Sequence, residues 1–412
     1  MKRIFSGILL TTVTLLSCKR SGDNRTYDFS WVDTTRMSEK TGIMPVFSKN
    51  ATCINLKDLN LEHGTKLSNI ADSVNIIQLE TSTENIIGKI EKISLQKDKI
   101  YILDRMKNPG IYVFSDTGKY ICRIGQKGPG PEEYIEPTDF DIYGDSVFIL
   151  DQFKAKLLIY STDGTFISEA RLPIIATGIS VVNDSTFLFN SIDADNSHLG
   201  EYAGCNLFTT DQDFNIVKAG FKRKHGLYTS VWIPSNFIRS GKGTNYHPAF
   251  GNTIYNITPN GDIYANYIID FGNRELPEKF TYEENWSEFI SDEIQKRYLI
   301  FPGDFVTSDN WLLFEFLDNH ESRFCYHNRL SGKTLLTYGF GNDINDIPVG
   351  KFYASKGDTL ISAISSDMIE LWRDNMPEND REIILSGKYY NLIRNMTSDN
   401  NPLLLLTKLK SK

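Results

Sequence analysis

The sequence predicts an all-β fold, a six-bladed β-propeller, and two observations support this prediction. Short apolar runs of strand length alternate with turn residues, as at residues 140–143, 147–150 and 157–160. The unit containing them is repeated, since YILDRMKNPGIYVFSDTGKYI at residues 101–121 aligns with FILDQFKAKLLIYSTDGTFI at residues 148–167. A repeat of about 40–50 residues with several strands and no helical period is typical of a propeller blade.

Two series of turns give the number of repeats. The first series advances in steps of 46, 49, 48 and 71 residues through Gly118, Gly164, Asp213, Gly261 and Gly332. The second series precedes the strand that begins each hairpin, at Lys97-Asp98, Gly144-Asp145, Asn183-Asp184, Ser308-Asp309 and Gly357-Asp358. Together they predict six units, with an insertion inside the 71-residue step.

The loop that opens the best-preserved repeat carries a family resemblance. It reads GQKGPGPEEY at residues 125–134 and is followed by Pro137 and the strands ILD and LLIYSTDG. This pattern resembles the NHL-type repeat, and the chain after Ser73 more closely resembles the six-bladed β-propeller lipoproteins common in Bacteroidota. The resemblance implies a fold and an envelope location, but it implies little about mechanism.

The first 17 residues have the pattern of a lipoprotein signal peptide. Lys2 and Arg3 precede an apolar segment at residues 4–16, and Leu15-Leu16-Ser17-Cys18 resembles a bacterial lipobox. We therefore predict that Cys18 is the lipid attachment point and anchors the protein to a membrane. The alternative is an ordinary signal peptide with an incidental cysteine.

The segment after Cys18 bears on location. Lys19-Arg20-Ser21-Gly22 lacks the acidic cluster that resembles a surface-export signal in this group of bacteria. We therefore predict an outer-membrane lipoprotein on the periplasmic side in preference to the cell surface.

Cysteine use and charge exclude some classes of site and partner. The cysteines after Cys18 show no CxxC spacing of a zinc motif, and we expect buried thiols more than disulfides at Cys53, Cys122, Cys205 and Cys325. Removing residues 1–17 leaves 42 Lys and Arg against 52 Asp and Glu, a net charge of −10. This sign argues against nucleic acid and against a polybasic membrane patch.

The two ends of the globular part are predicted to meet. Residues 18–66 are polar and aperiodic and predict a lipid-anchored tether, with the propeller at residues 67–412. Strand-like runs at residues 73–79 and 401–409 have no hairpin partner nearby. We predict that these two runs pair in one blade and close the ring.

Helical patterns occur twice. In the insertion, at about residues 275–300, a capping box at residues 281–284 precedes apolar residues at helical spacing, namely Trp286, Phe289, Ile290, Ile294 and Tyr298. This pattern predicts one amphipathic helix. A second short helix is predicted at residues 366–373, and we expect Trp286 and Trp372 to be anchors that face the core.

The loop at residues 125–134 is also the candidate recognition element. Its predicted structural residues are Gly125, Gly128, Pro129, Gly130 and Pro131, and its candidate binding side chains are Gln126, Lys127, Glu132 and Tyr134. A backbone rich in Gly and Pro can hold such side chains in a fixed arrangement at little entropic cost. The alternative is that the loop only packs one blade on the next.

Two functions are compatible with these patterns. The first is a non-catalytic binding or scaffolding module for an envelope protein, peptide or glycan, monomeric and without a cofactor. The second is an NHL-like lactonase, hydrolase or lyase with Ca or Zn in the central channel, which needs acids, amides or histidines converging from several inner strands. Only Asp139 and Asp141 supply acids on the candidate inner strands, and the six histidines show no HxH or HxxxH spacing. The sequence therefore favours the binding module.

Overall fold

The structure is a computed structural model in which residues 27–411 are described, apart from residues 49, 58–59, 193, 223–236, 241–242, 282–285, 290 and 377–388. The predicted signal peptide and Cys18 lie outside the described residues.

Six antiparallel sheets form the blades of a propeller. The strands before the first complete sheet are β1 (Gly42–Ile43), β2 (Val46–Phe47), β3 (Thr52–Asn55), β4 (Leu61–Glu62), β5 (Thr65–Lys66) and β6 (Ala71–Gln78). Blade 1 consists of β7 (Lys92–Gln96), β8 (Lys99–Asp104), β9 (Gly110–Ser115) and β10 (Tyr120–Ile124). The loop strands β11 (Gln126–Lys127) and β12 (Glu133–Tyr134) precede blade 2, which consists of β13 (Asp139–Tyr143), β14 (Ser146–Asp151), β15 (Lys156–Ser161) and β16 (Phe166–Arg171).

The remaining blades follow in chain order. Blade 3 consists of β17 (Gly178–Asn183), β18 (Thr186–Asn190), β19 (Cys205–Thr210) and β20 (Ile216–Lys222). Blade 4 consists of β21 (Phe237–Ser240), β22 (Gly243–Tyr246), β23 (Thr253–Ile257) and β24 (Ile263–Asp270). Blade 5 consists of β25 (Phe305–Thr307), β26 (Trp311–Asp318), β27 (Glu321–Asn328) and β28 (Thr334–Thr337). After β29 (Phe340–Gly341), blade 6 consists of β30 (Phe352–Lys356), β31 (Thr359–Ile364), β32 (Leu403–Leu409) and the N-terminal strand β6.

Apolar clusters between neighbouring blades hold the six sheets together. Side chains alternate between the two faces of a strand, so one face of each blade packs on the preceding blade and the other on the next. Each of the six blade interfaces contains its own buried cluster. Between blades 1 and 2, for example, Leu103 and Val113 pack with Ile149 and Leu158. The predicted six-bladed, all-β fold is confirmed, and both turn series fall at hairpins of the blades.

The two ends of the propeller close the ring in blade 6. β6 pairs antiparallel with β32, from Gln78 opposite Leu403 to Ser73 opposite Lys408. β31 pairs with the other edge of β32, so this strand lies inside the sheet. The predicted pairing of the two unpartnered runs is confirmed.

Residues 42–66, which we call the strap, run around the outside of the propeller. β1 pairs in parallel with β20 of blade 3, β2 and β3 pair with β24 of blade 4, and β4 pairs with β28 of blade 5. β5 pairs with β29. The predicted tether is therefore wrong for residues 42–66. Strands of two to four residues are too short to show an alternating pattern, and their partners are edge strands that only the folded propeller provides.

The helices are short. They are α1 (Thr34–Lys40), α2 (Trp286–Phe289), α3 (Asp292–Arg297), α4 (Ser366–Asp374) and α5 (Tyr390–Asn395), with 3₁₀ turns at Leu67–Asn69, Gln152–Lys154, Ser197–Tyr202, Gly272–Arg274 and Glu278–Thr281. The helix predicted near residue 366 is present as α4, whereas α5 was not predicted. Across the described residues, no helix combines the length and the apolar character needed to cross a membrane.

The insertion contains two helices where one was predicted. Ser291 is extended (φ −67°, ψ 147°) and its side chain accepts a hydrogen bond from the Ile294 N–H, so it is the N-cap of α3 and separates α3 from α2. Most of the predicted capping box, and the side chain of Trp286, lie outside the described residues. Trp372 is partly buried against the cluster between blades 5 and 6, as expected of a core-facing anchor.

The long connections emerge on one face of the propeller, which we call the insertion face. Within each blade, the turns between the first and second strands and between the third and fourth strands lie on the opposite face, the turn face. Because the strands are antiparallel, the connections between the second and third strands of a blade, and those from one blade to the next, lie on the insertion face. They include residues 125–138, 191–204, 271–304 and 365–402.

Because β32 closes the ring, shortening one buried leucine side chain of this strand should lower the stability of the whole propeller. Leu405 is fully buried and sits between β31 and β6, so Leu405→Ala should lower the free energy of unfolding by about 2–5 kcal/mol. The exposed Lys408 on the same strand supplies the control, because Lys408→Ala should change it by less than about 0.5 kcal/mol. Urea unfolding followed by tryptophan fluorescence measures both. Equal midpoints for the two variants, or a cooperative transition retained after deletion of residues 401–412, would contradict closure by this strand.

Candidate functional site

The loop at residues 125–134 lies on the insertion face between blades 1 and 2. Within it, β11 and β12 pair in parallel, so the loop folds back on itself. Gln126, Lys127 and Glu132 are exposed and accessible to a partner. Three of the four candidate binding side chains are therefore at the surface.

Tyr134, the fourth candidate, is fully buried between blades 1 and 2. Its hydroxyl donates a hydrogen bond to the carbonyl oxygen of Ile124 at 3.2 Å. Burial raises the pKa of this phenol to about 12. A side chain with these contacts is not accessible to a ligand. The prediction of Tyr134 as a binding residue is therefore wrong, and Tyr134 packs one blade on the next.

The glycines of the loop accommodate the side chain of Glu133. The Gly130 N–H donates to Glu133 Oε2 at 2.8 Å, and a Cβ at Gly128 would lie 2.0 Å from the same oxygen. Gly125 has φ +64°, in the left-handed region that favours glycine. The exposed Pro129 and Pro131 flank this folded-back carboxylate. The loop is thus held by its own contacts.

The central channel is the second candidate site. It is a cavity of about 910 Å³ lined by the inner strands β7, β13, β17, β21, β25 and β30. Its walls are polar and apolar in about equal parts. They carry three ion pairs, Lys92 Nζ with Asp139 Oδ1 at 2.7 Å, Arg239 Nη2 with Asp141 Oδ2 at 2.5 Å and Lys351 Nζ with Asp304 Oδ1 at 2.6 Å. Each pair joins two different blades.

Asp139 and Asp141 connect the inner strands of blades 2 and 3. Asp139 Oδ2 accepts the backbone N–H of Ile179 at 2.9 Å, and Asp141 Oδ2 accepts that of Val181 at 2.7 Å. Among the described strands, β13 and β17 belong to separate sheets, so no backbone ladder joins them. The two carboxylates therefore accept backbone hydrogen bonds in the place of the carbonyl oxygens of a neighbouring strand. A buried carboxylate with charged and backbone donors is held in a fixed position.

Lys351 is the cation of the third channel pair, with Asp304. Burial disfavours its ammonium form, but the adjacent Asp304 carboxylate outweighs this effect and raises the pKa of Lys351 above its ordinary value. The amine is therefore charged at neutral pH and does not act as a base there.

Sequence reasoning found the two aspartates but missed Lys92, Arg239, Asp304 and Lys351. A usable signal was present for two of the three pairs. Lys92 and Asp139 are 47 residues apart, as are Asp304 and Lys351, which is about one repeat. Opposite charges at equivalent positions of consecutive repeats predict an ion pair between neighbouring inner strands.

Among the described residues, no group of three or more His, Cys, Asp or Glu side chains is arranged to hold a metal ion. His247 is fully buried, which lowers its pKa to about 4. Cys53, Cys122 and Cys325 are free thiols. Cys205 and Cys325 are buried as expected, whereas Cys53 is exposed.

The ion pairs of the channel predict that replacing Asp139 strongly lowers the free energy of unfolding. Breaking a matched pair on the surface should not change it. Asp139→Ala removes a carboxylate that is 2% exposed and leaves Lys92 without its partner, so the free energy of unfolding should fall by about 3–5 kcal/mol. The control is Asp145→Ala, which breaks the exposed Lys97–Asp145 pair of the neighbouring turns. Its unfolding should match the wild type. Chemical denaturation measures both, and equal losses would show that Asp139 has no bridging role.

Two solved structures resemble the protein. A candidate exported protein of Bacteroides fragilis NCTC 9343 is 20% identical, with a TM-score of 0.71, over 87% of this chain and 100% of that chain. A member of the DUF4221 family from Bacteroides vulgatus ATCC 8482 is 11% identical, with a TM-score of 0.44, over 82% of this chain and 97% of that chain. The first similarity supports the fold, and the second is too distant to carry an argument. No curated protein gives a significant match.

The family itself is shown by a match to most of the chain. The matched region runs from the strap through β32 and so includes all six blades. The chain belongs to the family described as "Domain of unknown function (DUF4934)", whose model matches residues 51–408.

Proposed function

We propose that this protein is a lipoprotein of the cell envelope whose propeller is a non-catalytic binding or scaffolding module for an envelope protein, peptide or glycan. The proposal places it at the outer membrane, on the periplasmic side, as a monomer anchored through Cys18. The NHL-like character of the repeats belongs to the same proposal. The Bacteroides fragilis protein of similar fold, itself a candidate exported protein, is consistent with such a location.

The difference between the two faces of the propeller carries the proposal. The insertion face holds the long connections, and three of its apolar side chains are exposed to solvent. Met106 is 70% exposed, Leu371 56% and Ile86 42%. Met106 and Ile86 are on neighbouring connections of blade 1, joined by a hydrogen bond from Asn108 Nδ2 to the Ile86 carbonyl oxygen at 2.9 Å. Loops that a rigid scaffold holds in place are where binding residues concentrate, and these side chains are accessible there.

The N-terminal residues also approach the insertion face. The Tyr27 hydroxyl donates to the carbonyl oxygen of Gln152 at 3.3 Å, and the Phe29 ring stacks on His198 with centroids 3.7 Å apart. Both contacted residues lie on insertion-face connections of blades 2 and 3. Because Tyr27 is nine positions after Cys18, the chain can span at most about 30 Å between them. A lipid at Cys18 would therefore keep blades 2 and 3 near the membrane surface.

The alternative, an enzyme with Ca or Zn in the channel, would need Asp139 and Asp141 as ligands or acids. Both carboxylates already accept backbone N–H groups and pair with cations that bridge blades. Using them for catalysis would cost the contacts that join these inner strands. The geometry thus favours recognition at the insertion face.

Lipid attachment can be tested directly. Labelled fatty acid should enter the wild-type protein in cells and should not enter the Cys18→Ala variant, because acylation requires the thiol of the lipobox cysteine. Cys53→Ala is the matched control, since Cys53 is an exposed free thiol elsewhere in the chain and its loss should leave labelling intact. Label retained in Cys18→Ala would refute the anchor.

Recognition at the insertion face can be tested with a photo-crosslinking amino acid in the full-length protein in its own envelope. Substitution at Met106 should give a discrete crosslinked species. The same substitution at Leu330, which is 66% exposed on the turn face, should not. Lys127 is a second insertion-face position. Equal crosslinking from Leu330 and Met106, or none from either insertion-face position, would contradict the proposal.

A further inference from the structure

A second cavity, separate from the insertion-face surface, opens between blades 5 and 6. It has a volume of about 310 Å³ and mostly apolar walls, to which Phe324, Tyr338, Phe340, Val349 and Phe352 contribute. Phe324, Phe340 and Phe352 belong to the edge of the cluster between these two blades but are only partly buried. Protein interiors are close-packed, so apolar walls around an unfilled space of this size are typical of a small-molecule site.

The charged residues around the cavity leave one carboxylate in excess. Asp304 pairs with Lys351 at 2.6 Å, and Glu321 pairs with Arg323 at 2.5 Å. Among the described residues, Glu315 forms no ion pair, since the nearby Lys351 ammonium is paired with Asp304. The Glu315 side chain takes a hydrogen bond from the Ser322 hydroxyl. His63 is on the rim, where its ring stacks on Tyr338 at 4.1 Å between centroids.

Glu315 faces the cavity from the wall of blade 5. It is directly opposite Phe324 in the β26–β27 register, so both side chains are on the face that packs against blade 6. Burial, reinforced by the nearby Asp304, raises the pKa of this carboxyl above its ordinary value. A carboxylate in such surroundings destabilises the folded protein unless a cation or donor compensates it.

We propose that this cavity binds a small amphipathic ammonium compound, with its apolar body among the aromatic walls and its charged nitrogen against Glu315. The excess carboxylate selects a cation, and Phe324 offers a ring face that favours one. The cavity volume limits the ligand to a compact body of about one or two rings. This site goes beyond the proposed recognition function and does not depend on it.

Binding of three probes that differ only in the polar end tests the charge selection. They are 2-phenylethylamine, 2-phenylethanol and 3-phenylpropanoate, titrated by calorimetry into the full-length protein. The amine should bind at least about tenfold more tightly than the alcohol, and the carboxylate should bind most weakly. Equal affinity for all three probes, or no binding of any, would overturn the proposal.

Two variants with one control locate the site. Glu315→Gln keeps the shape and the hydrogen bond from Ser322 and should remove the preference for the amine, while the alcohol should keep its affinity within about twofold. Val349→Phe should fill the cavity and weaken both probes. Asp145→Asn, which removes an exposed carboxylate of blade 2 outside the cavity, is the control and should keep the preference. An amine preference that survives Glu315→Gln would refute the assignment.

Stability without ligand separates a binding role from a structural one. Because the folded-state pKa of Glu315 is raised, the ionised side chain opposes folding at pH 7, and this penalty is relieved as the pH falls from the folded-state pKa towards the unfolded value. The groups that share this environment are Asp304, Lys351, Glu321 and His63, with Arg323 paired to Glu321. At pH 7 Glu315→Gln should therefore raise the melting temperature while removing amine selection. A lowered melting temperature would indicate that Glu315 serves the fold and would overturn the proposal.

Discussion

The antiparallel pairing of β6 with β32 is the interaction on which the rest of the structure depends. Among the described strands, the inner strands of neighbouring blades share no sheet, so the blades are held by apolar clusters and by a few charged side chains. Such contacts act between neighbours, and in an open ring the first and last blades would each expose an apolar face. Pairing of Gln78 to Ser73 with Leu403 to Lys408 removes both exposed faces at once. It also gives β6 a sheet that it could not form with its own sequence neighbours.

The strap follows from the position of β6. Since β6 is the outermost strand of blade 6, the residues before it must leave along the circumference. They pass β29, blade 5, blade 4 and blade 3 in reverse order, and at each of these the chain adds a parallel strand to an exposed edge. Residues 42–66 therefore protect three successive blades from pairing with other chains.

The blades could be predicted from the sequence because each hairpin leaves a local mark. Turn residues such as Gly118 and Gly164 stand one repeat apart, and their spacing reflects backbone geometry that few other residues allow. The strap could not be predicted, since its strands are stabilised by edges distant in sequence. The break in the insertion at Ser291 was missed because apolar spacing continues across it, and the cap is decided by a single hydroxyl. Tyr134 was misassigned because its burial depends on the neighbouring blade, which a loop motif does not reveal.

The candidate sites were less predictable than the fold for a related reason. In the channel, Lys92 and Asp139 complete an ion pair, and the charge of each is compensated. Around the cavity between blades 5 and 6, Glu315 is a carboxylate like Asp139 but forms no ion pair among the described residues. The two cases differ only in the charged groups that lie near each acid in the folded structure, and the sequence does not show these. An acid whose charge is compensated by a blade neighbour stabilises the propeller, whereas an acid left in an apolar cavity lowers stability until something else binds it. That contrast, within one fold and between equivalent residue types, is the physical reason to look for a ligand at Glu315 and not at Asp139.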